Sequence, residues 1–254
     1  MHLTNYSGTD FDLDVTREVA LRDPAVVVKS LGIDLPENLR AVAFSTVNTI
    51  RNTGKTGWTK EGGLLSIWVL GMFNATPRTT VVVPYQRGSE SDRGVVVHDS
   101  YFGKVPSNRL VDDDGALFFK ADAKHRSKIG IPPRRARRVL GSYDASTHTL
   151  TLVAFTLPGN TTEYVNSMWE IQKEPFGGDV ANAYNDGPPA PGAKQLGQFY
   201  ELESSSPALA LAPGQTATHT QTTIHLQGRP QDLDGVAVAV LGRGIEKINH
   251  AFTR

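Results

Sequence analysis

The sequence predicts an all-β protein, one β-sandwich domain over residues 1–254 in which antiparallel strands stack as two sheets. Glycine (24 residues) and proline (15 residues) are scattered along the whole chain as turn formers. Clusters of β-branched residues lie between them, for example Val-Val-Val at 81–83 and at 95–97. A length of 254 residues suits one large all-β domain or two small ones, and the absence of a linker-like segment favours one.

Several apolar segments have the length and the flanking turn residues of strands. The runs at 64–70, 116–121 and 149–157 are the clearest of them. Turn-forming strings punctuate the chain, including Asp-Asp-Asp-Gly at 112–115 and Pro-Gly at 213–214. We therefore expect many strands, each of roughly 6–9 residues.

Two parts of the chain favour one or two short helices. Residues 24–31 follow Asp23, a residue type that caps helix N-termini, and Pro24 stands at the first helical position. Residues 233–241 and 245–252 form the second candidate, at the C-terminus. These segments are rich in valine, so their composition is equally compatible with strands.

Composition excludes several classes of protein. The 26 basic residues balance the 26 acidic ones, which removes a general electrostatic case for nucleic acid or an anionic membrane. No run approaches the roughly 18 apolar residues of a spanning helix, and the N-terminal residues lack the apolar stretch of a signal peptide. We expect a soluble chain, cytoplasmic, or periplasmic or secreted if the natural N-terminus is longer. The absence of cysteine excludes disulfides, thiolate metal sites and a cysteine nucleophile.

The densest polar cluster lies in residues 199–228. Side chains two residues apart share a face of a strand, so Glu201 and Glu203 point the same way, as do His219 and His225. We expect all four on one concave face, where repulsion between the carboxylates raises one pKa and prepares an acid–base pair. The alternative is an open, solvated sheet face. A metal held by Glu203, His219 and His225 is only weakly suggested by the spacing, so no metal is predicted.

Residues 164–188 combine amides, carboxylates and aromatic rings. Planar polar groups pair with neighbouring sugar hydroxyls, and an aromatic face covers the C–H side of a sugar ring, so this mixture is typical of carbohydrate sites. The alternative places the tryptophan in the core and the Asn-Asp-Gly-Pro string in a turn. The predicted sugar-binding residues in this segment are Trp169, Asn182, Tyr184, Asn185 and Asp186.

A basic stretch at 120–138 holds eight Lys or Arg residues. Such a run is usually a solvated face, but Arg126 and Lys128 alternate with apolar residues, which favours them as pocket residues. They are candidates for binding an anionic group such as a uronate, a sulfate or a phosphate.

Nucleotide-binding and hydrolase motifs are absent from the chain. It contains no G-x-x-x-x-G-K-[ST], no G-x-G-x-x-G after a strand and no G-x-S-x-G. His98, His125 and His148 stand in no zinc-binding pattern. The sequence therefore predicts no cofactor.

Several long strings resemble a family of uncharacterised bacterial proteins of the galactose mutarotase-like β-supersandwich superfamily. The resemblance covers nearly the whole chain and implies an antiparallel β-supersandwich with a sugar-related role. The strings that carry it are LLSIWVLGMF (64–73), DSYFGKVPSNRL (99–110), RSKIGI (126–131), GSYD (141–144), YVNSMWEIQ (164–172), GDVANAYNDGP (178–188), LGQFYELESSSPA (196–208) and HTQTTIH (219–225).

The resemblance also implies a catalytic base. Aldose 1-epimerases carry a Leu-Glu pair on a strand ahead of a Pro-Gly turn, and Leu202-Glu203 followed by Pro213-Gly214 matches that pattern, so Glu203 inherits the role of base. The histidine that serves those enzymes as acid lies in a Leu-Thr-Asn-His-Ser-like string. Tyr6 stands at that position here, a departure that weakens the mutarotase assignment because a phenol is a poorer acid at neutral pH.

Members of the family that these strings resemble carry an additional N-terminal region of sheet. It precedes the Asn-Tyr-Ser-Gly string, which begins here at Asn5. Without that region the sandwich has an exposed sheet edge, and we expect another copy of the chain to cover it as a homo-oligomer.

Three functions remain open from the sequence. The first is a carbohydrate epimerase with Glu203 as base and His219 or His225 as acid. The second is a polysaccharide lyase that uses Tyr184, His219 and Arg126 on a uronate-containing glycan. The third is a carbohydrate-binding or structural module without turnover, because one fold supports many functions.

Overall fold

A computed structural model describes residues 1–159 and 161–252, and it confirms the all-β prediction. Within these residues, thirteen strands form two antiparallel sheets. The strands are β1 (His2–Thr4), β2 (Asp10–Arg22), β3 (Arg40–Asn52), β4 (Trp68–Asn74), β5 (Thr79–Pro84), β6 (Leu110–Asp112), β7 (Ala116–Lys120), β8 (Ser127–Ile131), β9 (Val139–Asp144), β10 (Thr149–Phe155), β11 (Ala181–Asn185), β12 (Phe199–Ser205) and β13 (Thr216–Gln227).

The two sheets stack face to face around the main apolar core. The described part of the larger sheet has nine strands in the order β1-β2-β3-β13-β10-β9-β5-β7-β6, and the smaller has four in the order β4-β12-β11-β8. Side chains alternate between the faces of each strand, so every second residue points into the space between the sheets. The core there includes Val83, Leu117, Phe119, Ile129, Leu140, Val153, Ala183 and Leu202.

Helices α1 (Pro24–Ser30), α3 (Pro230–Leu241) and α4 (Ile245–Asn249) cover the other face of the larger sheet, whereas the short α2 (Glu90–Arg93) does not. Leu233 and Leu241 of α3 belong to one buried cluster with Leu152 and Ile224 of the sheet. Only the short α2 is distant from this cluster, and it was not predicted from the sequence.

Both helical predictions are confirmed in type. Asp23 caps α1, and its side chain accepts a hydrogen bond from the backbone N–H of Ala25 at 2.8 Å. At the C-terminus, Gly242 ends α3 in the left-handed conformation with φ of 72°. Val27 and Val28 of α1 and Val236 and Val240 of α3 are buried, whereas Val26 and Val238 are exposed.

The strand predictions hold in part. The runs at 116–121 and 149–157 correspond to β7 and β10. The run at 64–70 was placed too early, because regular pairing begins only at Trp68. The valine triplet at 95–97 lies outside the named strands.

The connection from β12 to β13 crosses from the smaller sheet to the larger one. The Pro-Gly turn lies in this connection, where Gly214 has φ of 80°. Consecutive strands of the chain are therefore not neighbours here. This crossing decides which side chains reach the candidate site.

Strand β4 pairs with β12 on one side, and no strand of the described chain pairs with its other side. The expected homo-oligomer at an exposed sheet edge stays a prediction. Among the described residues, no helix has the length and apolar character required to cross a membrane.

Candidate functional site

A pocket opens on the outer face of the smaller sheet, away from the larger sheet. Its floor is formed by alternate residues of three strands: Lys128 of β8, Tyr184 of β11, and Glu201 and Glu203 of β12. The residues between them point the opposite way into the core. The period of two along each strand thus separates a polar floor from an apolar core.

The walls of the pocket are mostly aromatic and apolar. The cavity volume is about 130 Å³, and the pocket opens to solvent at its mouth. The loop between α2 and β6 supplies Tyr101 and Phe102, the loop before β11 supplies Met168, and the edge strand β4 supplies Trp68 and Leu70. Trp169 lines the mouth and is 83% exposed.

A buried ion pair lies on the pocket floor. Lys128 Nζ donates to Glu203 Oε2 at 2.7 Å, and the same carboxylate oxygen accepts the Trp68 Nε1 hydrogen at 2.8 Å. The ammonium also lies 4.7 Å from the centroid of the Trp68 ring and 5.2 Å from that of Tyr101. Among the described residues, nothing hydrogen-bonds the second oxygen of this carboxylate, Glu203 Oε1, although it is buried. A buried oxygen without a partner is costly, so a bound hydroxyl group would stabilise it.

The surroundings of Glu201 change its affinity for a proton. Burial and then the nearby Glu203 carboxylate raise the pKa of Glu201 to about 7. Lys128 opposes this shift only in part. Two carboxyl groups with different environments can divide the roles of proton donor and proton acceptor.

A second network supports the wall that carries Tyr101. The Tyr101 hydroxyl donates to Asp179 Oδ2 at 2.5 Å and accepts from Asn182 Nδ2 at 3.1 Å. His98 Nδ1 lies 2.9 Å from Asp179 Oδ1, and this hydrogen bond raises the pKa of His98. Burial raises the pKa of the Tyr101 hydroxyl far above its ordinary value. Tyr101 is thereby held rigidly as a neutral phenol.

A glycine makes room for this network on the neighbouring strand β8. A Cβ added to Gly130 would lie 1.9 Å from Asp179 Oδ2 and 2.7 Å from Asn182 Nδ2. The absence of a side chain at Gly130 therefore allows Asp179 to reach Tyr101.

At the opposite end of the pocket, Tyr184 and Arg126 form a second wall. The Tyr184 hydroxyl donates to Asp186 Oδ1 at 2.7 Å, and burial raises the pKa of Tyr184 well above its usual range. The Arg126 guanidinium carbon lies 3.9 Å from the centroid of the Phe102 ring. This distance places the flat guanidinium over the ring face.

The expectation that both histidines share a face with the two glutamates is wrong. His219 of β13 points between the sheets, where its Nε2 lies 2.8 Å from Ser204 Oγ, and burial lowers its pKa to about 4. Ser204 is the neighbour of Glu203 on β12 and faces the opposite side of that strand. His219 therefore has the whole smaller sheet between its ring and the pocket.

His225 is also separated from the pocket. Its Nδ1 lies 2.9 Å from Thr151 Oγ1, and its ring packs 5.7 Å from that of Phe73 on the inner side of β4. Burial lowers its pKa. The predicted pairing of either histidine with Glu203 is therefore contradicted by the geometry, as is the weaker idea of a metal held by the three residues. The described residues contain no group of three or more His, Asp or Glu placed to hold a metal ion.

The structure places the predicted sugar-binding residues unequally. Arg126, Lys128, Trp169 and Tyr184 line the pocket, whereas Asn185 does not. The Asn185 side chain is fully buried elsewhere, where it accepts from the Ala123 N–H and donates to the His125 carbonyl, each at 2.8 Å. The prediction that Asn185 binds the sugar is therefore wrong, because its side chain connects backbone groups outside the pocket.

Asn182 and Asp186 lie behind the lining residues. Asn182 supports Tyr101, and Asp186 accepts hydrogen bonds from the Tyr184 hydroxyl and, at 2.7 Å, from the Gly197 N–H. Both position pocket residues and do not line the pocket themselves. Tyr6, at the position implied for an acid, is 85% exposed and also lies outside the pocket lining.

The pocket residues that sequence reasoning missed include Trp68, Tyr101 and Phe102. Trp68 lay within a predicted strand without a role, and the other two lay in a string noted only for its resemblance. The adjacent aromatic pair Tyr101-Phe102 beside a glycine was the available signal, because binding residues lie disproportionately on loops.

Comparisons with known proteins found one family match and several similar solved structures. A family model described as "Family of unknown function (DUF6786)" matches residues 1–252. No curated protein sequence matches the chain. A putative aldose 1-epimerase from Escherichia coli K12 is a similar solved structure, with 10% identity over 90% of this chain and 68% of that chain and a TM-score of 0.44. The Slr1438 protein from Synechocystis sp. PCC 6803 has 9% identity over 90% of this chain and 73% of that chain, with a TM-score of 0.38.

These structural similarities assign no role to any residue, because identities and TM-scores are both low. The family match covers almost the entire chain and confirms the predicted relationship to an uncharacterised family. The chain belongs to the family of unknown function DUF6786.

Proposed function

We propose that the protein is a carbohydrate-active enzyme of the epimerase or mutarotase type, which acts on a sugar in the outer pocket of the smaller sheet. The observation that carries the proposal is the pair Glu201 and Glu203 on the floor of an aromatic-walled pocket, with the buried Lys128 beside them. This pair combines a group protonated near neutral pH with one that has an unsatisfied acceptor oxygen. Acid–base catalysis of ring opening requires both functions.

The walls suit a sugar ring. The C–H face of a pyranose packs on the Trp68 and Trp169 rings, and its hydroxyls find the polar floor. Lys128 is engaged with Glu203, so it orients the carboxylate while its charge stabilises negative charge that develops on the sugar. The pocket is open at one side, which admits a single sugar or the end of a chain.

The reaction begins at the anomeric hydroxyl. Glu203 Oε1 accepts the proton of the C1 hydroxyl, while Glu201 donates its proton to the ring oxygen, and the C1–ring oxygen bond breaks to form an open-chain aldehyde. Rotation about the C1–C2 bond presents the other carbonyl face. The two proton transfers then run in reverse, the ring closes with the opposite anomeric configuration, and both carboxyl groups return to their starting states.

Glu201 thus takes the role that the sequence analysis gave to a histidine. Because its pKa is raised to about 7, the proton-donating form predominates below neutral pH and declines above it. Turnover is expected to fall on the alkaline side of pH 7.

Polarimetry tests the proposal. Fresh solutions of the α and β forms of common aldoses are followed with wild type, Glu203→Gln, Glu201→Gln and the control Glu18→Gln, which lies on β2 outside the pocket lining. The account expects accelerated mutarotation of at least one sugar by wild type and by the control. It expects losses of about 100-fold or more for Glu203→Gln.

The other two functions give different results in the same experiment. Sugar binding by isothermal titration without any change in rotation rate would indicate a binding module. A new absorbance near the ultraviolet edge from a uronate-containing glycan would indicate a lyase. Either result would overturn the epimerase assignment.

A further inference from the structure

Arg126 stands out among the residues that line the pocket. Its guanidinium carbon lies 3.9 Å from the Phe102 ring centroid, and the residue is half-buried. Stacking on an aromatic face fixes the plane of the guanidinium and leaves its N–H groups directed outward in that plane. The residue is therefore positioned before any ligand arrives.

The charge of Arg126 is not neutralised within the described chain. None of the ion pairs formed by the described residues includes Arg126, whereas Lys128 is paired with Glu203 at 2.7 Å. The guanidinium interacts with the Tyr184 hydroxyl. The nearby carboxylate of Asp186 accepts hydrogen bonds from that same hydroxyl and from the Gly197 N–H. A partly desolvated cation without a counter-ion favours an anionic ligand.

The strand register separates Arg126 from Glu203. Tyr184 pairs with both Lys128 and Glu201, and Asn182 pairs with both Gly130 and Glu203. Arg126 precedes Lys128 by two residues and lies on the same side of the sheet. Along the strand direction, the residues paired with Tyr184 therefore lie between Arg126 and Glu203. Side chains two residues apart are spaced by roughly 7 Å along a strand. A ligand that places its reacting end at Glu203 therefore presents its far end to Arg126.

We infer that the ligand of this pocket carries an oxyanion substituent, a carboxylate, sulfate or phosphate, which Arg126 binds at the end of the pocket remote from Glu203. The inference rests on the proposed function and narrows its substrate class from sugars in general to acidic sugars. A planar carboxylate, as in a uronic acid, matches the fork of the guanidinium with two parallel hydrogen bonds.

Isothermal titration with matched sugars tests the inference. The ligands are glucose and galactose, their uronates, and their 6-phosphates and 6-sulfates, each titrated into wild type, Arg126→Gln and Arg126→Lys. Arg51→Gln on β3 controls for the loss of one positive charge, because Arg51 is exposed and lies outside the pocket lining. Glu203→Gln is titrated in parallel, and its rotation kinetics are recorded.

Wild type and Arg51→Gln are expected to bind one acidic sugar at least about tenfold more tightly than its neutral counterpart. Arg126→Gln is expected to lose that preference, measured as the ratio of its affinities for the acidic and the neutral sugar. Arg126→Lys is expected to retain only part of it, because a lysine lacks the fork. The acidic ligand that shows the largest preference identifies the substituent.

Other results overturn the inference in recognisable ways. Equal affinity of wild type for acidic and neutral sugars, or an acidic preference that survives in Arg126→Gln, would contradict it and leave the proposed function standing. Acidic preference that depends on Arg126, together with no effect of Glu203→Gln on turnover, would support the inference and contradict the proposed mechanism. Absence of binding by every sugar would contradict both.

Discussion

Lys128 Nζ lies 2.7 Å from Glu203 Oε2 on the pocket floor, and the two side chains are only 6% and 1% exposed. Charges removed from water to this extent are stable only as a pair, because the desolvation of either one alone is not compensated. The Trp68 indole adds a hydrogen bond to the same oxygen. The pair therefore holds the Glu203 carboxylate in one orientation, and its other oxygen, Oε1, is buried without a hydrogen-bond partner among the described residues.

Removal of the Lys128 ammonium is expected to leave the buried Glu203 carboxylate without its partner. The Lys128→Met variant should lose about 3–5 kcal/mol in free energy of unfolding at pH 7, measured by urea denaturation.

A double variant separates the charge from the packing. Lys128→Met combined with Glu203→Gln should recover most of the stability lost in the single variant, because a neutral pair in this place is far less costly. A single variant that loses less than about 1 kcal/mol, or a double variant no more stable than the single one, would show that the pair is not buried as described.

Glu201 should make stability depend on pH in an unusual direction for a carboxyl group. The ordinary pKa is 4.5 and the folded one about 7, so between these values the folded protein holds a proton that the unfolded chain has released. The free energy of unfolding should therefore fall as pH rises from about 4.5 to about 7. Glu201→Gln should remove this slope and raise stability at pH 8 by on the order of 2 kcal/mol. Glu18→Gln is the control, and equal slopes in both variants would refute the assignment.

His219 is expected to be structural and not catalytic. Its folded pKa of about 4 lies below the ordinary 6.5, so the unfolded chain binds the proton first and stability is lost as pH falls from about 6.5 to about 4. The His219→Gln variant should lack this acid-side loss and should be destabilised by about 1–3 kcal/mol at pH 7, because Ser204 loses a buried partner. Its turnover should stay within about threefold of wild type. His125→Gln, on the exposed surface, should change neither quantity.

Gly130 offers a test of the wall network. Gly130→Ala would drive a methyl group into Asp179 and Asn182 and displace Tyr101, so sugar affinity and stability should both fall, the latter by about 1–3 kcal/mol. The matched change Gly235→Ala meets nothing within 4 Å inside α3 and should instead stabilise the fold by about 0.5–1 kcal/mol. Thermal unfolding and titration of one sugar measure both variants, and an unchanged affinity in Gly130→Ala would argue against the network.

The sequence correctly predicted which residues share a face within a strand. Glu201 and Glu203 do point together, as do His219 and His225, because the side-chain period of a strand is two whatever its partners are. It did not predict that β12 and β13 belong to different sheets. Pairing depends on long-range contacts, and a Pro-Gly turn between two apolar strands is read most simply as a hairpin.

That single misassignment accounts for most of the error in the candidate site. The sequence analysis predicted that His219 of β13 and Glu203 of β12 lie on one face. Because the chain crosses between the sheets, they lie on opposite sides of the smaller sheet. Lys128 and Arg126 were identified because charges that alternate with apolar residues suggest a half-buried strand. Tyr101 and Phe102 were missed because a loop has no periodicity from which an orientation can be inferred.

The central claim is that acid–base chemistry on a sugar takes place at Glu203 in the outer pocket and not at the histidines between the sheets. Magnetisation-exchange NMR measures it directly, as the rate of interconversion of the α and β forms of a ¹³C1-labelled sugar bound by wild type, Glu203→Gln and His219→Gln. The account predicts that Glu203→Gln slows the exchange by about 100-fold or more while His219→Gln leaves it nearly unchanged. Exchange that survives in Glu203→Gln, or that disappears in a folded His219→Gln, would contradict it.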